Sequence, residues 1–330
     1  MSKIERIWYN GGPGVIPLLP LSWLFRLLIT VRRWLYQQGW LTVNHFSAPL
    51  IVVGNLTVGG VGKTPFVIWL ASFLRRKGYK PGIVSRGYGG DATEWPQSVV
   101  PESDPVLVGD EAVLLACRCQ CPMVVSPNRS DAVRMLLKDY DCNIVIADDG
   151  LQHYAMGRNI EIVIVDGQRR FGNQHLLPAG PLREPVARLN DVDLCIVNGE
   201  PMASDEYRMT LTERSLYNLQ SPERKEAISF LKGKRVHAVA GIGFPEKFFT
   251  LLRNEGVEVI AHPFPDHHAY RVGDLNFGDD HVVVMTEKDA VKCTPFAKPD
   301  HWVLTIGMAP ELEVEKRLDV LLESIDRINN

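Results

Sequence analysis

Residues 54–65 read Gly54-Asn55-Leu56-Thr57-Val58-Gly59-Gly60-Val61-Gly62-Lys63-Thr64-Pro65. The run before them, "APLIVV" (48–53), is apolar and partly β-branched, as a buried strand is. The run after them, "FVIWLASFLRRKG" (66–78), has apolar residues at helical spacing, Arg75 and Arg76 in its last turn and Gly78 as a stop. Strand, glycine-rich loop and helix in that order are the setting of a phosphate-binding loop. Gly59, Gly60 and Gly62, with Val61 between them, let backbone N–H groups turn inward around phosphate oxygens. Lys63 is placed to reach the β- and γ-phosphates and the Thr64 hydroxyl to ligate Mg2+, with the helix N-terminus beneath. Pro65 suits a first helical turn, where no N–H is needed. The strict pattern would have glycine at Thr57. A glycine-rich turn with an incidental lysine is the competing reading, and the flanking strand and helix weigh against it.

Outward from the loop the pattern repeats. "KPGIVSRGYGG" (80–90), "PMVVSPNR" (122–129), "CNIVIADDG" (142–150), "NIEIVIVDG" (159–167) and "VDLCIVNG" (192–199) read as strands, and "GDEAVLLACRC" (109–119) and "SDAVRMLLKDY" (130–140) as helices. A Ser130 cap is expected to start the second helix. Strands alternating with helices imply a mostly parallel sheet with both faces covered. Residues 205–225 have strand character without a following helix and read as a β-hairpin linker. Alternation resumes from Lys234, and a helix from about Glu311 to Ile328 closes the chain. The expected organisation is an N-terminal helix (1–36), a P-loop α/β domain (37–204), a β-ribbon (205–225) and a smaller α/β domain (226–330) that closes the site.

At 330 residues the chain exceeds one ordinary core, and 45% hydrophobic with 23% charged residues is usual for a folded protein. A net charge of -3 gives no footprint for nucleic acid. Six cysteines suggest a reduced compartment, and Cys117, Cys119 and Cys121 lack zinc-site spacing. Residues 13–36, "PGVIPLLPLSWLFRLLITVRRWLY", carry Arg26, Arg32 and Arg33 but no acid. The unbroken apolar run from Val15 to Phe25 is too short to span a bilayer, and Pro17 and Pro20 interrupt it. From Leu21 to Tyr36 the sequence forms one helix, lying either in a membrane interface or buried against the protein with its arginines turned outward.

A phosphate loop needs an acidic partner at a neighbouring strand end, which Asp148 and Asp149 supply as candidate magnesium anchors. Asp110 and Glu111, or Asp266 and His267 in "FPDHHAY" (264–270), offer a base for an acceptor hydroxyl. Dipole-favoured acids and a surface turn are the plain alternatives. Arg86, Arg129 and Arg183 are loop arginines able to neutralise phosphoryl charge. "GIG" (241–243) is half a dinucleotide fingerprint, and "TEKD" (286–289) has its lysine one place late for guanine recognition.

Together "GNLTVGGVGKTP", "SRGYGG", "VGDE", "PNR", "ADDGLQHY", "LLPAGPLREP", "FPDHHAY" and "TEKDAVK", in that order, resemble the tetraacyldisaccharide 4'-kinases of lipid A biosynthesis. That family's loop ordinarily lacks the first glycine, which fits Thr57. The resemblance implies γ-phosphoryl transfer from ATP, with Mg2+, to the 4'-hydroxyl of an acylated glucosamine disaccharide 1-phosphate. It implies a peripheral protein on the cytoplasmic face of the inner membrane, held there by the N-terminal helix, with two α/β domains joined by a two-stranded ribbon. By motif, Asp110 is similar to the catalytic base, with Asp266 and His267 tuning it. Asp148, Asp149 and Thr64 match the metal site, with Glu184 a supporting acid, and Arg129 and Arg183 match charge-stabilising arginines. Two departures are Ala112, where the family usually has proline, and Gln174 in place of a turn glycine before "LLPAG". A P-loop nucleotide switch, either a GTPase or a partitioning-type ATPase at the membrane, is the other reading of the loop alone.

Overall fold

The computed structural model describes residues 3–329; the first two residues of the expected 1–36 segment and the last of 226–330 lie outside it. Among the described residues, one continuous 13-stranded sheet runs through the molecule. Its first half holds β1 (Leu50–Gly54), β2 (Pro81–Ser85), β3 (Gln97–Val99), β4 (Met123–Val125), β5 (Ile144–Asp148), β6 (Ile160–Asp166) and β7 (Leu194–Asn198). Its second holds β8 (Glu206–Asn218), β9 (Lys225–Ala227), β10 (Arg235–Ala240), β11 (Glu258–Pro263), β12 (Val282–Thr286) and β13 (His301–Pro310). The order is β11-β10-β12-β13-β8-β7-β6-β1-β5-β2-β4-β3, with β9 beside β8. Pairing is parallel except at β3–β4, β8–β9 and β8–β13, so this is the mostly parallel α/β sheet the alternation predicts.

β1 shows why its sequence is a strand and no helix. Ile51 and Val53 face one core cluster while Leu50 and Val52 face another, so a four-residue apolar run is consumed by period-two burial on both sides. Helix Lys63–Arg76 covers the first face with Phe66, Leu70, Phe73 and Leu74. Helix Arg129–Asp139 covers the other with Ala132, Val133 and Leu136. Its cap is Asn128, whose side chain accepts from the Ser130 N–H, and not Ser130 itself. The asparagine comes first in the chain with the extended backbone a cap requires, so the helix starts earlier than expected.

The segment expected as a local hairpin is mainly one long strand. β8 pairs parallel with β7 at its start and antiparallel with β13 along nearly its whole length, while only its end turns back onto β9. Alternation marked it as a strand, but its partner lies at the far end of the chain, where local pattern has no reach. Through β13 the chain also returns to the first half. Val314, Leu318, Leu322 and Ile325 of helix Leu312–Asn329 join the core containing Phe66 and Leu70. Lys77–Asp319 (2.7 Å) and the Tyr79 hydroxyl on Asp326 (2.7 Å) fasten the same contact. That helix, assigned by sequence to 226–330, therefore packs with the larger unit.

The N-terminus comprises helix Lys3–Asn10, a 3-10 turn Pro13–Leu18 and helix Leu19–Gln37. Ser22 is buried, its hydroxyl donating to the Leu176 carbonyl (2.7 Å), and Phe25 and Ile29 pack on the core below. On the opposite side Trp23, Leu24, Leu27, Leu28, Val31 and Trp34 are exposed, Trp23 by 64%. The fully buried reading of this helix is thus excluded: it docks by one narrow stripe and presents its apolar majority outward. Its basic face is also divided, since Arg33 pairs with Asp191 (2.8 Å) while Arg26 stays exposed. Helix Pro13–Gln37 contains an 18-residue window with a mean hydropathy of 1.8, enough by length and composition to cross a bilayer, yet the docked stripe ties it to the α/β body.

Candidate active site

The phosphate loop leaves β1 under tight constraint. A Cβ at Gly54 would stand 2.6 Å from that of Leu151, so only glycine fits where the acidic segment crosses. Gly59 and Gly62 take φ of +94° and +96°, which turns the backbone around the loop's interior. Thr57 does something else. It bridges Leu182 in an antiparallel sense, flanked by bonds from Val58 N–H to the Pro181 carbonyl (2.8 Å) and from Arg183 N–H to the Leu56 carbonyl (2.6 Å). The position where the strict pattern has glycine is a strand-like tie to "LPAGPLREP", and a side chain is harmless there. The Lys63 ammonium rests on the Asn55 side-chain oxygen (3.0 Å) and on Asp149 (3.2 Å).

Asp148 ends β5 and Asp149 follows with φ of +50°, a left-handed residue that swings its carboxylate toward the loop. Arg183 reaches Asp149 with two contacts, at 2.9 and 3.1 Å. Burial would raise the Asp149 carboxyl, but Lys63 and Arg183 outweigh it and hold it well below the usual range. Asp148 is different. Burial pushes it up to about 7, Lys63 opposes, and Glu111 and Asp149 reinforce. Ser85 donates to its Oδ2 (3.3 Å), while Oδ1 is buried without a partner. A buried acceptor of that kind suits a cation, and Asp148 with Thr64 fits the small protein share of a magnesium shell. Glu184 is divided: its Oε1 accepts from the Tyr154 hydroxyl (2.6 Å), while its Oε2, 3.4 Å from Arg188, is buried without a hydrogen-bond partner. Among the described residues no cluster of three or more His, Cys, Asp or Glu is arranged to hold a metal ion by itself.

Across the cavity, helix Asp110–Cys119 begins with Asp110, 3% exposed, and the loop after β11 brings His267 to it. The His267 Nδ1 stands 3.0 and 3.1 Å from the two Asp110 oxygens, so Nδ1 carries the shared proton. The hydrogen bond to Asp110 raises the His267 pKa, although burial and Lys288 oppose it. Asp266 accepts from Lys288 (2.9 Å), and His268 turns away to Asp274 (3.1 Å). Sequence reasoning passed over Asn55, Tyr154, Lys288 and Lys292. The two lysines were visible as a pair spaced four apart in "TEKDAVK", a spacing that puts both on one helical face.

A cavity of about 660 Å3 joins these parts. Its walls include residues 58–64 of the loop, Asp148 and Asp149, Arg183 and Glu184, and then Glu111, Asp266 and His267. Phe25, Ile29 and Arg32 of the N-terminal helix form its outer rim. Asp110 is behind His267, outside that wall. Arg129 is also outside it, buried with its guanidinium on the Pro127 carbonyl (3.1 Å), and burial lowers its pKa to about 10. Arg86 lines the cavity as the loop reading expects.

The half-fingerprint and the displaced guanine box have structural uses. Gly241 donates its N–H to Asp289 (2.9 Å), and Thr286 caps helix Glu287–Cys293 while donating to the same carboxylate (2.6 Å). Cys119 closes its helix, and all six cysteines are unpaired.

A phosphate cradle with its lysine, facing a histidine backed by an aspartate across one open cavity, defines a P-loop phosphotransferase. A family profile described as LpxK, tetraacyldisaccharide-1-P 4'-kinase, matches residues 15–324. A tetraacyldisaccharide 4'-kinase of Nitrosococcus oceani is 51% identical over 308 residues, covering 93% of this chain and 90% of that one. Another of Alkalilimnicola ehrlichii is 46% identical over the full length of both. A solved structure of LpxK from Aquifex aeolicus in complex with ATP is 28% identical with a TM-score of 0.79, covering 93% of this chain and 99% of that one. The chain belongs to the tetraacyldisaccharide-1-P 4'-kinase family and is a kinase, which sets aside the nucleotide switch.

His153 of "DDGLQH" yields a test of this packing. Burial, with Arg129, Arg158 and Arg32 around it, lowers its pKa from 6.5 to about 4, and its Nε2 is buried without a partner. Above pH 6.5 the group is neutral in both states. As pH falls from 6.5 toward 4 only the unfolded chain takes up the proton, so folded stability declines. Chemical denaturation across that window should show the decline, and His153→Gln should flatten it.

Proposed function

We propose that this enzyme transfers the γ-phosphoryl group of ATP to the 4'-hydroxyl of an acylated glucosamine disaccharide 1-phosphate at a membrane surface. The observation that carries the reading is the shape of the cavity: phosphate loop on one wall, histidine–aspartate pair on the other, and an apolar helix along the rim. Family membership and the names of its relatives support the reaction, and the ATP complex of LpxK supports the donor.

In this reading Gly59, Gly60, Val61 and Gly62 hold the phosphates by backbone N–H groups, and Lys63 moves from Asp149 onto the transferring group. Thr64 and Asp148, with Asp149 close by and Glu184 as outer support, would hold Mg2+, which neutralises phosphate charge when bound. Arg183 adds charge at the cavity wall, and Arg129 acts from behind it through its field on the two aspartates. The acceptor hydroxyl gives its proton to the Asp110–His267 pair: His267 faces the cavity, and Asp110 orients the imidazole and stabilises its charged form. Asp266 holds Lys288 beside that imidazole. The unit around 37–204, completed by helix Leu312–Asn329, and the unit from 226 to about 310 close on the substrate through the β8–β13 joint.

The exposed apolar stripe explains the acceptor. Six large side chains, each worth roughly 1.5–3 kcal/mol on burial, leave on the order of 10 kcal/mol available to a bilayer interface. The reading is a peripheral protein at the cytoplasmic face of the inner membrane, where acyl chains stay in lipid and the sugar enters the cavity beside Phe25 and Ile29.

Labelled ATP and a tetraacyldisaccharide 1-phosphate in detergent micelles should give labelled lipid, and none with wild-type enzyme would sink the proposal. Lys63→Met and Asp110→Asn should each lower kcat by at least about 100-fold, with ATP binding lost only in the first. Trp23→Glu with Leu27→Glu should reduce co-sedimentation with anionic vesicles while leaving the thermal midpoint unchanged, because both side chains are already exposed.

A further inference from the structure

Asp110 is an ionised carboxylate in a place that disfavours charge. Burial acts to raise its pKa, yet His267, Lys288 and Lys292 together bring it below the usual range. Two of those three compensating groups come from helix Glu287–Cys293, and one of them, Lys292, has no part in the mechanism above. Lys292 is 10% exposed, and its ammonium lies 3.3 Å from Asp110 Oδ2 and 3.3 Å from Asp289. Asp289 is wholly buried and is itself fixed by the Gly241 N–H and the Thr286 hydroxyl. The Lys292 ammonium also sits 5.2 Å from the centre of the Tyr270 ring. The Lys292 ammonium is thus held between Asp289, the Tyr270 ring and Asp110. One turn earlier Lys288 spans Glu111 (3.1 Å), Asp266 (2.9 Å) and His267 Nε2 (3.4 Å). Arg118 and Glu287 make a further ion pair between the same two helices.

We propose that Lys292 is a positioning residue for the Asp110–His267 pair. It keeps Asp110 anionic and fixed, so the base is complete only while helix Glu287–Cys293 is docked on helix Asp110–Cys119. The proposal rests on the assignment of that pair as the base. The alternative role, an ion pair that merely holds two helices together, would affect stability and leave the proton step unchanged.

Without the lysine the Asp110 carboxyl is harder to ionise, so the acid limb of the kcat–pH profile moves to higher pH. Lys292→Met in the full chain should lower kcat by about tenfold or more, with KM for ATP unchanged. The acid limb should move up by about one pH unit, and Lys292→Arg should restore most of both. Circular dichroism and nucleotide binding establish that the variants fold, with Lys292→Gln as a second probe. In an Asp110→Asn background Lys292→Met should cost little more, because the group it serves has gone. An unmoved acid limb in Lys292→Met, or the same fold loss in both backgrounds, overturns the proposal. Wild-type turnover in Asp110→Asn alone would remove the base assignment and this proposal with it.

Discussion

Two aspartates leave the end of a buried parallel strand beside a lysine that leaves the start of a helix. β1 and β5 are neighbours in register, Val53 beside Asp148, so the loop following one and the acids ending the other must meet. Everything at the nucleotide side follows from that adjacency. Asp149 adopts a left-handed backbone to face Lys63, Arg183 arrives to share it, and Asp148 remains behind with a free oxygen. The electrostatics divide the pair: one acid is held charged by two cations, and the other is raised by burial until a cation arrives. Identical side chains one residue apart thus have opposite tendencies, and the difference is made by contacts outside their own segment.

The second half of the molecule completes what the first cannot. The phosphate loop and acids sit on the first half of the sheet, while His267, Lys288 and Lys292 come from the second. A long antiparallel β8–β13 joint makes one sheet of both halves and returns the last helix to the first core. The N-terminal helix contributes a third element, tied by Ser22 to Leu176 of "LLPAGPLREP", the segment that also braces Thr57 and supplies Arg183. The exposed apolar helix and the phosphate loop are thereby mechanically adjacent.

Much of this was legible in the chain. Buried strands followed by glycine loops and amphipathic helices obey local periodicities, and motifs such as "DDGLQH" carry their chemistry in a few consecutive residues. Asp148, Asp149, Lys63 and His267 were reachable in that way. Other features were not. Arg129 reads as a loop arginine but is buried beside the acids, and Asp110 reads as an accessible base but stands behind its histidine. Lys288 and Lys292 sit in "TEKDAVK", whose first four residues only approximate a guanine box with the lysine one place late. Their partners Glu111 and Asp110 lie on a helix far away in the chain, and no local rule reports such a neighbour.

By itself, then, the sequence determined the alternating architecture, the phosphate loop and the chemical character of the site, because backbone propensity and side-chain chemistry act over a few residues. Only the tertiary structure decided which carboxylates stay charged, which face of the N-terminal helix is left bare, and which half supplies each member of the Asp110–His267 pair. Those depend on burial and on charges brought together through the sheet, and both are properties of the assembled chain.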